Sequence, residues 1–177
     1  MKLAQIATAA LLLAGAAGDA AAQQKTLKDR LLGTWHFVIA EVTAPDGQKS
    51  FPFGPKPRGI LIFTPEGDFA QIHIAGEVPK IASGNRLAAT PEEYAGILRG
   101  TIAQFGTYTV DEEKQTFTMK FTASTYPNWE GTLQTRSVDK LTDDEFINTN
   151  PQGRRGARLG VQPVPAGEVM RTSESGH

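Results

Sequence analysis

Few side chains in this 177-residue chain are able to carry acid–base, nucleophilic or metal chemistry, and they are scattered. There is no Cys, which removes thiolate nucleophiles, thiolate metal sites and disulfides together. Three histidines remain. His73 shares strand parity with Phe69 and Gln71, which makes it a candidate ligand contact; His36 alternates with Trp35 and Phe37, and His177 is the last residue. Neither His-x-His nor His-Glu-x-x-His occurs, and zinc needs three or four converging ligands, so no metal and no cofactor is expected. Ser83 has no neighbouring base, and no Gly-x-Ser-x-Gly elbow is present.

The charged candidates are more informative. Glu41 shares parity with Trp35, Phe37 and Ile39, so regular alternation places it on the apolar face of its strand. Glu130, Gln134 and Arg136 share another face. Facing inward, Arg136 is a buried cation that requires either a protein carboxylate such as Glu41 or an anionic ligand head group. Facing outward, the three form an ordinary polar surface. The acidic clusters Glu92-Glu93, Asp111-Glu112-Glu113 and Asp143-Asp144-Glu145 read as a helix cap and two solvated turns. Gly153-Arg-Arg-Gly-Ala-Arg158 lacks the Lys-Ser/Thr and following helix of a phosphate loop and reads as a basic turn.

The elements that must position these residues are mostly short strands. Trp35–Val42, Gly59–Phe63, Phe69–Ile74, Phe105–Val110, Thr116–Ala123, Gly131–Val138, Phe146–Thr149 and Glu168–Thr172 carry strand patterns separated by turn residues. A short helix is expected over Thr26–Leu32. A second helix starts at Thr90-Pro91-Glu92-Glu93, where a hydroxyl N-cap, Pro at the first position and Glu at the third form a capping box. Tyr94, Ile97, Leu98 and Thr101/Ile102 follow at helical spacing, and Gly96 and Gly100 allow a close approach to whatever supports them. Phe51-Pro-Phe-Gly-Pro-Lys-Pro-Arg-Gly59 is a stiff loop, too apolar for an ordinary linker. Many short strands with one or two helices indicate a single mainly β domain, a sandwich or barrel.

Residues 1–22 read as a cleaved secretory signal: Lys2, an apolar run from Ile6 to Ala17, then small residues at Ala20 and Ala22. Residues 23–177 are then one exported domain, periplasmic or secreted, with no membrane insertion after cleavage. With 18 Lys+Arg against 19 Asp+Glu, the chain has no field to gather nucleic acid.

The ordered string Gly33-Thr-Trp35, Phe51-Pro-Phe-Gly54, Phe63-Thr-Pro-Glu-Gly67, Phe105-Gly-Thr-Tyr-Thr-Val-Asp111, Pro127-Asn-Trp-x-Gly-Thr132 and Gln134-x-Arg136 resembles the bacterial lipocalin-like domain family, over about residues 27–172. The resemblance implies an antiparallel up-and-down calycin-like β-barrel of about eight strands with a flanking helix and a central cavity. By the same resemblance Trp35 and Arg171 pack together to close one barrel end. Met119-Lys120 stand where relatives often carry His, so chemistry relying on that imidazole is not expected here.

Three functions fit. The first is a barrel holding a small, mainly hydrophobic or amphipathic ligand, with Phe53, His73, Tyr108, Trp129, Gln134 and Arg136 lining or closing the pocket. The second is a metal-independent cyclase or isomerase that moves protons with Tyr108, His73, Glu41 and Arg136. The third is a structural or interaction barrel whose core is filled by its own nine Phe.

Overall fold

The computed structural model describes residues 25–44 and 46–150, together with the backbone of 157–163. Two helices, α1 (Leu27–Leu31) and α2 (Pro91–Gly100), accompany nine strands: β1 (Gly33–Thr43), β2 (Lys49–Ser50), β3 (Arg58–Phe63), β4 (Asp68–Ile74), β5 (Thr101–Asp111), β6 (Thr116–Ser124), β7 (Leu133–Leu141), β8 (Phe146–Asn150) and β9 (Ala157–Pro163). All neighbours are antiparallel, in the order β2-β1-β3-β4-β5-β6-β7-β8-β9, and β9 returns to pair with β1. Leaving aside the two-residue β2, eight strands close on themselves, which removes the exposed edges of an open sheet.

Closure comes from a segment that reads as a turn in sequence. Ala157–Pro163 is a strand, in register with both β8 and β1, although its Gly and Arg content gives it little strand character of its own. The expected last strand, 168–172, and with it Arg171, lies outside the described residues, as do residues 1–22 and 151–156. Among the described residues no helix is long and apolar enough to cross a membrane.

The ring has two unlike ends. One carries the short connections 64–67, 112–115 and 142–145, and α1 lies across it. Leu27 and Leu31 of α1 are buried against Trp35, Phe63, Phe69, Phe117 and Phe146. The Glu112 carboxylate accepts from the backbone N–H groups of Leu27 (2.7 Å) and Lys28 (3.0 Å), and Arg30 donates to the Leu141 carbonyl. Glu112 is an exposed turn residue, as expected, that has a further role. It holds two of the orphan donors at the start of α1, where a carboxylate also meets the positive end of the helix. Trp35 Nε1 donates to the Leu31 carbonyl at 2.8 Å, and its ring centroid lies 5.5 Å from that of Phe146. Phe63 extends the aromatic packing to Tyr108 (4.8 Å) and Phe117 (5.5 Å).

The other end carries the long connections, including the Pro-rich loop, α2 and the 125–132 corner. α2 has the expected capping box, Thr90 with Glu93, and Pro at its start. Its apolar face differs from expectation. The helix stops at Gly100, Thr101 and Ile102 belong to β5, and Tyr94 and Leu98 stay largely exposed. The close approach is made by the glycines alone: a Cβ on Gly96 would lie 2.7 Å from Pro79, and one on Gly100 3.1 Å from Val78.

Register shifts in β1, between Phe37 and Ile39, and in β7, between Val138 and Lys140, adjust which side chains face inward, the second bringing Leu141 in. Between Phe37 and Ile39 the β1–β9 register shifts, so Trp35, Phe37 and then Ala40 are buried. Glu41 consequently leaves the interior, contrary to the alternation rule, and pairs with Lys49 at 2.9 Å. The β5–β6 register also shifts, with Thr122 of β6 as the extra residue, and there Gly106 lies so close to β6 that an added Cβ would sit 1.9 Å from the Lys120 carbonyl oxygen. Gly106→Ala is expected to destabilise the barrel by about 2–3 kcal/mol through this backbone overlap. Urea denaturation measures it; a loss below about 0.5 kcal/mol would show that the two strands separate freely.

Candidate functional site in the barrel interior

Residues facing inward change character from one end of the ring to the other. Along β4 they run Phe69, Gln71, His73; along β8, Phe146 then Asn148; along β5, Tyr108, Gly106, Gln104; along β7, Leu141 then Arg136. In each case the apolar member lies toward α1 and the polar member toward the long connections. β1 (Trp35, Phe37, Ala40), β3 (Leu61, Phe63) and β6 (Phe117, Met119, Phe121) bury apolar residues alone, so the polar members come from β4, β5, β7 and β8. The α1 end is thus a packed aromatic core, and the opposite half of the interior is polar.

Two hydrogen-bonded groups make up that polar half. On the β4–β5 wall, Gln104 Nε2 donates to Gln71 Oε1 (2.5 Å), and Gln71 Nε2 lies 2.9 Å from His73 Nε2. If the Gln71 amide is the donor, His73 Nε2 is the acceptor of a neutral imidazole. On the β7–β8 wall, Arg136 Nη1 donates to Asn148 Oδ1 (3.1 Å), and Arg136 Nη2 makes a long contact of 3.4 Å with Gln134 Oε1. Gln134 Oε1 also accepts from Asn150 Nδ2 at 3.2 Å. Among the described residues, three buried polar atoms have no partner: Gln104 Oε1, Arg136 Nε and Asn148 Nδ2.

Electrostatics sets the charges. Burial first, and the positive field of Arg136 second, together push the His73 imidazole down to about 3, so His73 is neutral at physiological pH. That field also places the two walls within Coulombic reach of each other. Burial brings Arg136 down to about 10, and it remains a cation. Among the described residues no carboxylate pairs with it; Glu41, one of the two partners the sequence left open, sits on the outer surface with Lys49. The interior therefore holds one net positive charge whose hydrogen bonds all go to neutral amides.

A neutral buried imidazole gives the fold a pH dependence. Above pH 6.5 folded and unfolded chains both carry neutral His73. Below it the unfolded chain takes up a proton that the folded chain refuses until about pH 3. Stability is therefore lost as the pH falls through this window, by up to about 1.4 kcal/mol per pH unit. Urea midpoints at pH 7, 5.5 and 4 should fall more steeply for the parent than for His73→Gln; equal slopes would mean that His73 is protonated in the fold.

The Pro-rich loop covers this half. Phe53 meets His73 edge-on at 5.5 Å and Phe37 at 5.5 Å, while His73 and Phe37 stack at 3.8 Å with 11° between planes. On its other side Phe53 forms a wall of a groove of about 430 Å³, shared with Pro52, Lys56, Glu77, Gly96 and Arg99. One aromatic side chain thus separates an open groove from the buried polar set.

Of the residues singled out from sequence, Phe53, His73, Gln134 and Arg136 are gathered here. Tyr108 and Trp129 are elsewhere. Tyr108 belongs to the aromatic core, its hydroxyl donating to the Thr64 carbonyl (2.8 Å), and burial together with the Glu66 carboxylate raises its phenol. Trp129 stacks on Phe121 (5.7 Å) in the 125–132 corner, which keeps the two elements together. Glu130 closes that corner and does not share the β7 face of Gln134 and Arg136. The four residues proposed for proton transfer, Tyr108, His73, Glu41 and Arg136, are not brought into one cluster. Gln71, Gln104 and Asn148 were missed. Their one signal is a polar residue two positions from a buried aromatic, as in Phe69-x-Gln71-x-His73 and Phe146-x-Asn148. Among the described residues no group of three His, Cys, Asp or Glu is placed to hold a metal ion.

The family model for the lipocalin-like domain matches residues 32–158. No curated protein matches. A lipocalin-like protein from Bacteroides uniformis, known from a crystal structure, is 14% identical over 76% of this chain and 99% of its own, with a TM-score of 0.46. A redesigned β-barrel is 17% identical over 80% of this chain and 97% of its own, with a TM-score of 0.37. On the family match, which spans most of its length, the chain belongs to the lipocalin-like domain family.

Proposed function

We propose that this protein is exported and that its barrel holds one small amphipathic molecule, with its polar end among Arg136, Asn148, Gln71, Gln104 and His73 and its apolar body beside Phe37 and Phe53. The observation that carries the reading is the buried polar set with three partnerless atoms in an otherwise aromatic interior. Evolutionary or structural stability gives little reason to place such groups in a core, because each unsatisfied buried donor or acceptor costs about 1–3 kcal/mol. A ligand that satisfies them recovers that free energy on binding. The groove outside Phe53 is within the size range of small-molecule sites and offers the way in, with Phe53 as the side chain that turns aside.

The test is titration with a neutral apolar dye whose emission rises on leaving water, followed by displacement with single-chain amphiphiles. One saturable dye site, displaced by amphiphiles and weakened in Phe53→Ala, is the expected result. A barrel that takes up neither dye nor amphiphile would make it a filled, structural barrel instead. Export predicts that mature protein recovered outside the cytoplasm begins at Gln23, which mass spectrometry of the intact chain reads directly.

A further inference from the structure

We infer that the ligand's polar end is a carboxylate, bound side-on along the Nε–Nη2 edge of Arg136 and beside Asn148 Nδ2. This rests on the ligand-binding reading above and names the chemistry of its head group.

Arg136 is only 7% exposed, and its hydrogen-bond partners among the described residues, Asn148 and Gln134, are neutral amides. A desolvated cation held only by neutral dipoles lacks the counter-charge that normally accompanies one. Its Nη1 is engaged by Asn148 Oδ1, whereas the opposite edge carries the partnerless Nε and an Nη2 whose contact with Gln134 is long. That edge presents two parallel N–H groups, the spacing that matches the two oxygens of a carboxylate. Asn148 Nδ2, on the adjoining strand, is a further donor without an acceptor. Two orphan donors on one wall call for an acceptor-rich group.

Charge selects among such groups. Arg136 is the one buried cation among the described residues, and the neutral His73 adds no second charge. A monoanion balances the site, whereas a phosphate monoester, with close to two negative charges, leaves one buried and uncompensated. On the facing β4–β5 wall Gln104 Oε1 is an orphan acceptor, so a hydroxyl or N–H elsewhere on the ligand is accommodated there. Phe37, Phe53 and Met119 supply apolar surroundings for the remainder.

Calorimetric titration of the intact barrel at pH 7.5 with dodecanoate, dodecanol and dodecyl phosphate tests this. Dodecanoate is expected to bind about 30-fold or more tighter than dodecanol, the discrimination of a charge-assisted pair, with dodecyl phosphate weaker than dodecanoate. In Arg136→Met the carboxylate and the alcohol should bind within about threefold of each other. With ¹³C-labelled carboxyl, the bound acid should titrate well below its value in water. Equal binding of acid and alcohol to the parent barrel, with the dye still displaced, overturns the carboxylate inference and leaves the binding reading standing. Tighter binding of dodecyl phosphate overturns it too. Binding of none of the three overturns the binding reading itself.

Discussion

Arg136→Met is expected to leave the unliganded barrel as stable as the parent, or more stable by about 1–4 kcal/mol, while removing its preference for acidic ligands. The two halves of this result have one cause. Bringing a guanidinium out of water costs several kcal/mol, and in this interior the cost is offset only by hydrogen bonds to Asn148 and a long one to Gln134. Methionine replaces the apolar stem of the arginine out to about Nε, adds no unsatisfied polar atom of its own, and lies beside Phe117 and Met119. The cost of the change is the loss of Asn148's partner, about 1 kcal/mol or somewhat more. Chemical denaturation of both forms without ligand measures the balance. A loss of more than about 2 kcal/mol in Arg136→Met would mean that Arg136 has a structural counter-charge, and the interior would then need no ligand to explain it.

Phe146→Ala is expected to have the opposite profile, a loss of about 3–5 kcal/mol with no change in ligand class. Phe146 is fully buried where three rings converge: Trp35 at 5.5 Å, Phe117 at 5.7 Å and Phe63 at 6.4 Å. Removing it opens a cavity at the α1 end, where the aromatic packing has no alternative arrangement to collapse into. At the same time it leaves Asn148, two residues along the strand, in register with Val138 and Leu159. Thermal and urea unfolding measure the first effect, and the dodecanoate-to-dodecanol ratio measured below the new Tm checks the second. A loss under about 1.5 kcal/mol would show that the α1 end is loosely packed, contrary to the close contacts described. A changed ratio would show that the two halves of the interior are not independent.

Much of the barrel was legible in the chain because strands and turns are local. The period of two between Phe117 and Phe121, the capping box at Thr90 and Glu93, and the turn at Thr64–Gly67 each declare their element within a few residues. Three kinds of information are not local. The bulge at Phe37/Ile39 shifts parity by one, and with it moves Glu41 from the interior to the surface; no residue between Trp35 and Glu41 announces this. Strand β9 is a strand because β8 and β1 both offer it a ladder, so a segment that reads as a turn becomes the closing element. The polar half of the interior is hidden for a third reason. Gln71, Gln104 and Asn148 look like the outward members of alternating strands, and a pattern of alternation does not say which parity is inside. Arg136 stands out in the sequence as part of the Gln134-x-Arg136 motif, with inward and outward placements both open; Leu133 on the opposite parity favours the outward one, and the structure takes the inward one.

Trp129 and Tyr108 lie apart from the polar set. Both stand out in the sequence as large aromatic side chains at recognisable positions; Tyr108 packs on Phe63 and donates to the Thr64 carbonyl, and Trp129 packs on Phe121 and Tyr126. The residues with something left to bind are amides and a guanidinium, whose partnerless atoms are visible only in three dimensions.

The most direct test of the central claim, that the polar half of the barrel interior is the ligand site, is an NMR titration of ¹⁵N-labelled protein with dodecanoate. It follows the Arg136 Nε–H and the side-chain amides of Gln71, Gln104, Gln134 and Asn148. The expected result is saturable movement of the Arg136 Nε–H and Asn148 Nδ2 resonances, with the backbone amides of Phe63 and Phe117 unmoved. Movement confined to Lys56, Gly76, Gly96 and Arg99, around the groove outside Phe53, would contradict the claim and place the ligand on the rim.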